Sequence, residues 1–167
     1  MAAVALALAL SVSVVPSAFA ATASTGSGNS VKQEQNAVWK EQTASLKNQL
    51  VTLRANQKAL TAQIKALHDS NKSARKGLTK EAKAKLKASF ANLAQQIKDQ
   101  HAAIVTLRTQ KQAKWLQVKA AKAAGNSDAG IADLEQIISL KEQIIQAKQT
   151  ILTLQQSLQN ALQGTNL

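Results

Sequence analysis

Beyond Pro16 the chain has no proline, and its apolar residues recur every seven positions through three successive stretches. A proline-free sequence rich in Ala, Leu, Lys and Gln favours helix at nearly every position. A seven-residue apolar repeat turns such helices into partners, because each must bury one stripe against another helix. In the first stretch Trp39, Leu46, Leu53, Leu60 and Leu67 take the d positions. Asn36, Thr43, Leu50, Gln57 and Ile64 take the a positions. In the second, Leu86, Leu93 and Leu107 fall at d, and Phe90, Ile97, Ile104 and Val118 at a. In the third, Ile137, Ile144, Ile151 and Leu158 fall at a, with Leu140, Ala147, Leu154 and Ala161 at d. Polar a positions such as Asn36, Gln57 and Lys111 weaken the seam and help fix its register.

The pattern predicts an all-α fold: a long antiparallel coiled-coil bundle of three helices, or a helical hairpin plus a third helix. The expected spans are Ser30–Lys76, Thr79–Ala124 and Ser127–Gln163. Ser30 and Gln33 fit a capping box at the first start. Gly77, Gly125 and Gly164 each follow a long helical pattern, as a C-terminal cap would; Gly130 falls in the first turn of the third helix. In that helix Ile138, Ile145 and Leu152 each follow an a residue, so its apolar face is wide enough for two neighbours. Those neighbours lie within the chain or in a homodimer.

Three tetrads share one pattern: Leu50-Val51-Thr52-Leu53, Ile104-Val105-Thr106-Leu107 and Ile151-Leu152-Thr153-Leu154. Folding at Gly77 and Ser127 would bring them to one level. The expected core is therefore Trp39, Leu50, Leu53, Ile104, Leu107, Trp115, Ile151 and Leu154, with the two tryptophans close together.

The N-terminus reads as an export signal. Residues 1–20 hold a small and apolar run from Ala2 to Val15, a break at Pro16 and the small-x-small pattern Ala18-Phe19-Ala20. No basic residue precedes the run, which departs from the usual signal. Residues 21–29 are Gly/Ser-rich and read as a flexible leader before the helical domain at 30–167. The expected address is periplasmic, wall-associated or secreted. The chain has no cysteine, so no disulfide staples an exported fold and helix packing must suffice.

Charge narrows the partners. The chain carries 21 basic and 9 acidic residues, a formal charge of +12. Residues 71–127 hold 13 of the basic and 2 of the acidic residues. Lys72, Arg75, Lys76, Lys80, Lys83, Lys85 and Lys87 surround the first turn with only Glu81 among them. Cations at a helix N-terminus oppose its dipole, so the cluster costs local stability. It is a candidate site for a polyanion or an acidic client, set against the plainer reading of a solubilising surface. Nucleic acid fits poorly: no aromatic residues interleave with the lysines to stack bases, and the expected address is exported.

Nothing in the sequence assembles catalytic groups. It lacks a Gly-rich phosphate loop, a nucleophile elbow and a zinc-protease motif. His68 and His101 are expected on the order of 25 Å apart along a symmetric hairpin, too far to share a metal. Glu34 and Glu41 read as a solvated stripe, and Asn71-Lys72-Ser73 matches a glycosylation sequon too short to carry weight. The chain is therefore expected to be no enzyme, with no cofactor, metal or small-molecule substrate.

Leu152-Thr153-Leu154-Gln155-Gln156 matches the Leu-Thr-x-x-Gln motif of exported helical envelope proteins of the Spy and CpxP type, and the chain resembles them in helical content and basic surface. That family usually carries two such motifs, but the second candidate here, Leu78-Thr79-Lys80-Glu81-Ala82, has Ala82 in place of glutamine. The chain is otherwise similar to small secreted helical proteins. The resemblance implies binding of unfolded protein without ATP, as a holdase. The alternative from charge alone is a cell-surface structural protein that docks on anionic wall polymer or membrane through its basic second helix.

Overall fold

The computed structural model describes residues 28–164, so the expected signal at 1–20 lies outside the described residues. The fold is an all-α bundle of four helices: α1 (Gly28–Gln42), α2 (Ala44–Gly77), α3 (Lys80–Ala123) and α4 (Ser127–Gln163). No helix among the described residues is long and apolar enough to cross a membrane. The 44 residues of α3 make a rod of roughly 66 Å.

The first expected helix is divided. Thr43, an a position, is fully buried and adopts φ −94° and ψ 0°. Its hydroxyl donates to Trp39 O at 2.6 Å, the same carbonyl that its own amide reaches at 3.1 Å. A threonine that back-bonds in this way bends a helix. The bend leans α1 over the α3–α4 turn, so that Gln35 approaches Gly125 and the Trp39 ring lies on Gly130. At the start of the chain the helix already includes Gly28 and Asn29. Ser30 is thus inside the helix and not its cap, and the leader expected at 21–29 ends earlier.

The α3–α4 turn follows the sequence closely. Gly125 takes φ 71°, the left-handed conformation that glycine reaches without strain. Its amide donates to Lys122 O, and that of Asn126 donates to Ala121 O, closing the end of α3. The Asn126 Oδ1 then accepts from Ala129 N at 3.1 Å and caps α4. Gly77 and Gly164 do not behave alike: neither has positive φ. The α2–α3 turn is instead made by Leu78 and Thr79 in extended conformation. Leu78 is buried against Phe90 and Leu162, and Thr79 Oγ1 accepts from Ala82 N to cap α3.

Helix α4 is the common partner. It packs along both α2 and α3, whereas α2 and α3 have little close backbone contact with each other. Of the residues that widen its Ile/Leu face, this packing buries Ile138 and leaves Ile145 and Leu152 half-buried. Leu134, Ile137, Ile144, Ile151 and Leu162 are at most 2% exposed. Burying each such side chain contributes about 1.5–3 kcal/mol.

The core forms three layers. The first joins Trp39, Leu50, Val118, Leu134, Ile137 and Ile138, with Leu46, Leu53, Trp115 and Ile131 partly buried around them. The second joins Ile104, Ile144, Ala147 and Ile151, flanked by Ile64, Ile97 and Leu107. The third joins Leu78, Phe90 and Leu162. The tryptophans thus share a layer. The three tetrads do not: Leu50 and Leu53 sit in the first layer, Ile104, Leu107 and Ile151 in the second, and half-buried Leu154 in none of the three. The reason is register. α2 runs parallel to α4 at a sequence separation of 84, seen in Gln57 with Lys141 and Asn71 with Gln155. The extended Leu78–Thr79 link displaces α3 from the mirror position that a turn centred on Gly77 would give.

Candidate functional site

Because α2 and α3 do not close on each other, a groove runs between them with α4 as its floor. At the turn end it encloses about 760 Å³, lined from α2 by His68, Asn71, Lys72, Arg75 and Lys76. Lys83, Lys87, Phe90, Ala91 and Ala94 line it from α3, and Leu158 from α4. A second stretch of about 430 Å³ continues along the rod and adds Thr61, Ile64, Lys65, Ile97, His101 and Gln155. The two stretches share His68, Arg75, Phe90, Ala94 and Leu158.

Five of the seven cations singled out in the sequence, Lys72, Arg75, Lys76, Lys83 and Lys87, therefore converge on one concave surface. Lys80 and Lys85 are exposed beside it and do not line it. The Arg75 guanidinium lies 4.8 Å from the centre of the Phe90 ring, which holds a cation over the apolar floor. Lys83 Nζ donates to Lys76 O at 3.5 Å across the turn. The result is an apolar trough with a positive rim.

A polar unit sits in the wall of this trough. Asn71 is 2% exposed and its Nδ2 donates to Gln155 O at 2.8 Å and to Gln155 Oε1 at 2.9 Å. Gln155 Nε2 approaches His68 Nδ1 at 3.5 Å. Asn71 Oδ1 is buried and accepts no hydrogen bond from the protein. Gln155 belongs to the Leu152–Gln156 motif, and in this fold its amide joins α4 to α2. Thr79 of the second candidate motif caps α3. His68 and His101 both line the second stretch of the groove. Among the described residues, no three His, Cys, Asp or Glu side chains gather as a metal site would require. Trp39 and Trp115 lie in the core layer at the opposite end.

Sequence reasoning missed a second set of cations. Lys141 and Lys148, seven residues apart on α4, are only 5% and 8% exposed. Lys141 Nζ donates to Gln57 Oε1 at 3.4 Å; Lys148 Nζ donates to Gln57 O at 3.2 Å and to Thr61 Oγ1. Burial, then the positive charges of Lys111 and Arg54, lower the Lys141 amine below its usual range. Burial and Arg108 do the same to Lys148. The signal available in sequence was polar Gln57 at an a position. It predicted a weakened seam with a fixed register but not that lysines of another helix would reach it.

Comparison with family models, curated proteins and solved structures found no match to this chain.

Proposed function

We propose that the chain is an exported, non-enzymatic helical binding protein that holds unfolded or acidic protein segments in the groove between α2 and α3. One observation carries this reading: an apolar trough floored by Phe90 and Leu158 and rimmed by Lys72, Arg75, Lys76, Lys83 and Lys87. An unfolded segment offers apolar side chains that gain from burial there. Acidic residues beside them meet the rim, which steers encounter and favours acidic clients. The likeness of Leu152–Gln156 to the Spy and CpxP motif points the same way.

The test fills the trough without touching the core. Ala91 and Ala94 line it and are exposed, so Ala91→Trp and Ala94→Trp block it while leaving the helices packed. The unaltered protein at several-fold excess should suppress aggregation of an acidic client, and the blocked variants should not. Equal protection by both, or none by either, overturns the reading.

A second reading is docking on an anionic wall polymer or membrane. Exposed Lys80 and Lys85 favour it, since they extend the positive charge beyond the groove where a client needs none. It requires Lys80→Glu with Lys85→Glu to reduce retention at the cell surface and to spare client protection.

A further inference from the structure

We propose that the middle of the same groove is an oxyanion site, built by Arg54 from α2, Arg108 and Lys111 from α3, and Lys141 and Lys148 from α4, for a slender phosphate-bearing chain. The site uses none of the residues proposed to hold clients and stands apart from that reading.

Heptad steps place the two arginines. On α2, Thr61, His68 and Arg75 line the groove at seven-residue intervals, and Arg54 is the next residue of that stripe. On α3, Lys87, Ala94 and His101 line it at the same interval, and Arg108 continues the stripe. Both arginines are exposed, and neither has an acceptor or an ion pair among the described residues. From α4 the Lys141 and Lys148 amines reach the neutral oxygens of Gln57 and Thr61, and Thr61 itself lines the groove. The described ion pairs, Lys65–Asp69 and Lys114–Asp133, leave all five cations without a carboxylate.

Lys111 and Arg54 repel the Lys141 ammonium and Arg108 repels that of Lys148, and both lysines are also desolvated. A protein core seldom keeps buried lysine without a counter-charge. A multivalent oxyanion supplies that charge. The arginine forks would each take two of its oxygens, while an ammonium with three donors and one neutral acceptor, as in Lys141, has hydrogens to spare. Placement selects the form of the ligand. Lys141 and Lys148 are 5% and 8% exposed and belong to the floor helix, whereas Arg54 and Arg108 are exposed on the two walls, so a linear chain of phosphates can run among them and a flat lipid surface cannot.

The test is a thermal melt and a calorimetric titration of the purified protein with inorganic tripolyphosphate, against sodium chloride of equal ionic strength. Tripolyphosphate should raise the melting temperature well beyond chloride, because the folded state gathers the cations and binds it more tightly than the unfolded chain does. Arg54→Gln and Arg108→Gln, both surface changes, should each weaken binding about tenfold, the loss of one charge-assisted contact. Lys76→Gln with Lys83→Gln and Lys87→Gln, at the turn end, should leave it within about twofold. Equal stabilisation by chloride overturns the proposal. So does a larger loss from the turn-end changes, or displacement of tripolyphosphate by vesicles containing anionic lipid.

Discussion

The two ends of the bundle solve the same packing problem differently. Three helices in which one serves as common partner leave a gap between the other two. At the α3–α4 turn, α1 lies against the helix ends and the Trp39 ring plugs them, packed on Gly130 and in one layer with Val118 and Leu134, with a cavity of about 390 Å³ left beside it. At the α2–α3 turn the small layer of Leu78, Phe90 and Leu162 closes the helix ends, but among the described residues no aromatic ring bridges α2 and α3 beside it, and the gap persists as a groove lined by cations. A gap of one kind thus becomes core where an aromatic plug and a small residue coincide, and binding surface where like charges surround it.

The largest effect should come from removing the plug. Trp39→Ala is expected to destabilise the protein by about 3–5 kcal/mol, read from urea unfolding. A cost below 1 kcal/mol would mean the sealed end is no better packed than the open one. Next comes the seat of the plug. A Cβ on Gly130 would approach the Trp39 ring to 2.5 Å, so Gly130→Ala should cost about 1–2 kcal/mol despite alanine's better helix propensity. If Gly130→Ala stabilises, the ring is free to move and α1 is not firmly docked.

Acidity probes the boundary between the ends. Lys141, facing Lys111 and Arg54, and Lys148, facing Arg108, hold their protons less tightly folded than unfolded. The unfolded chain therefore binds more protons between the lowered folded values and the ordinary value of 10.5. Stability should rise with pH across that window and stay low beneath it. Urea midpoints at about pH 7 and about pH 10 would show the rise, and Lys148→Met should flatten it. An unchanged slope in that variant would assign the effect elsewhere. The smallest effect belongs to the open rim. Lys87→Gln should shift stability by no more than about 0.5 kcal/mol, because an exposed charge there is well solvated. A larger loss would make the rim part of the fold.

These contrasts mark what the chain discloses in its letters. The α3–α4 turn is legible because Gly125, Asn126 and Ser127 each carry a local conformational preference. The wide face of α4 is legible because Ile138, Ile145 and Leu152 widen its stripe. The bend at Thr43 is not, since threonine at an a position fits a straight seam equally well until its hydroxyl finds the Trp39 carbonyl. Nor is the level at which helices meet. A heptad repeat matches itself at every seven-residue shift, so the tetrads suggest an alignment that the Leu78–Thr79 link does not permit. The cations around the first turn are visible as a run. Their convergence on Phe90 and Leu158 needs the helices side by side, and Lys141 and Lys148 read as surface because lysine nearly always is.

That self-matching gives meaning to two pairs of side chains. Gln57 Nε2 donates to Lys141 O while its own Oε1 accepts from the lysine amine, and Asn71 engages both the backbone and the side chain of Gln155. Both pairs join α2 to α4 at the same separation of 84. They act like two pegs on a sliding rule. If α2 slipped along α4 by one heptad, leucines would meet isoleucines much as before, but Gln57 would face Leu134 in one direction and Asn71 would face Leu162 in the other. Each stranded polar group would cost about 1–3 kcal/mol. The rod is consequently built to be read at one setting only, and whatever spans its groove always meets the same sequence of charges in the same order.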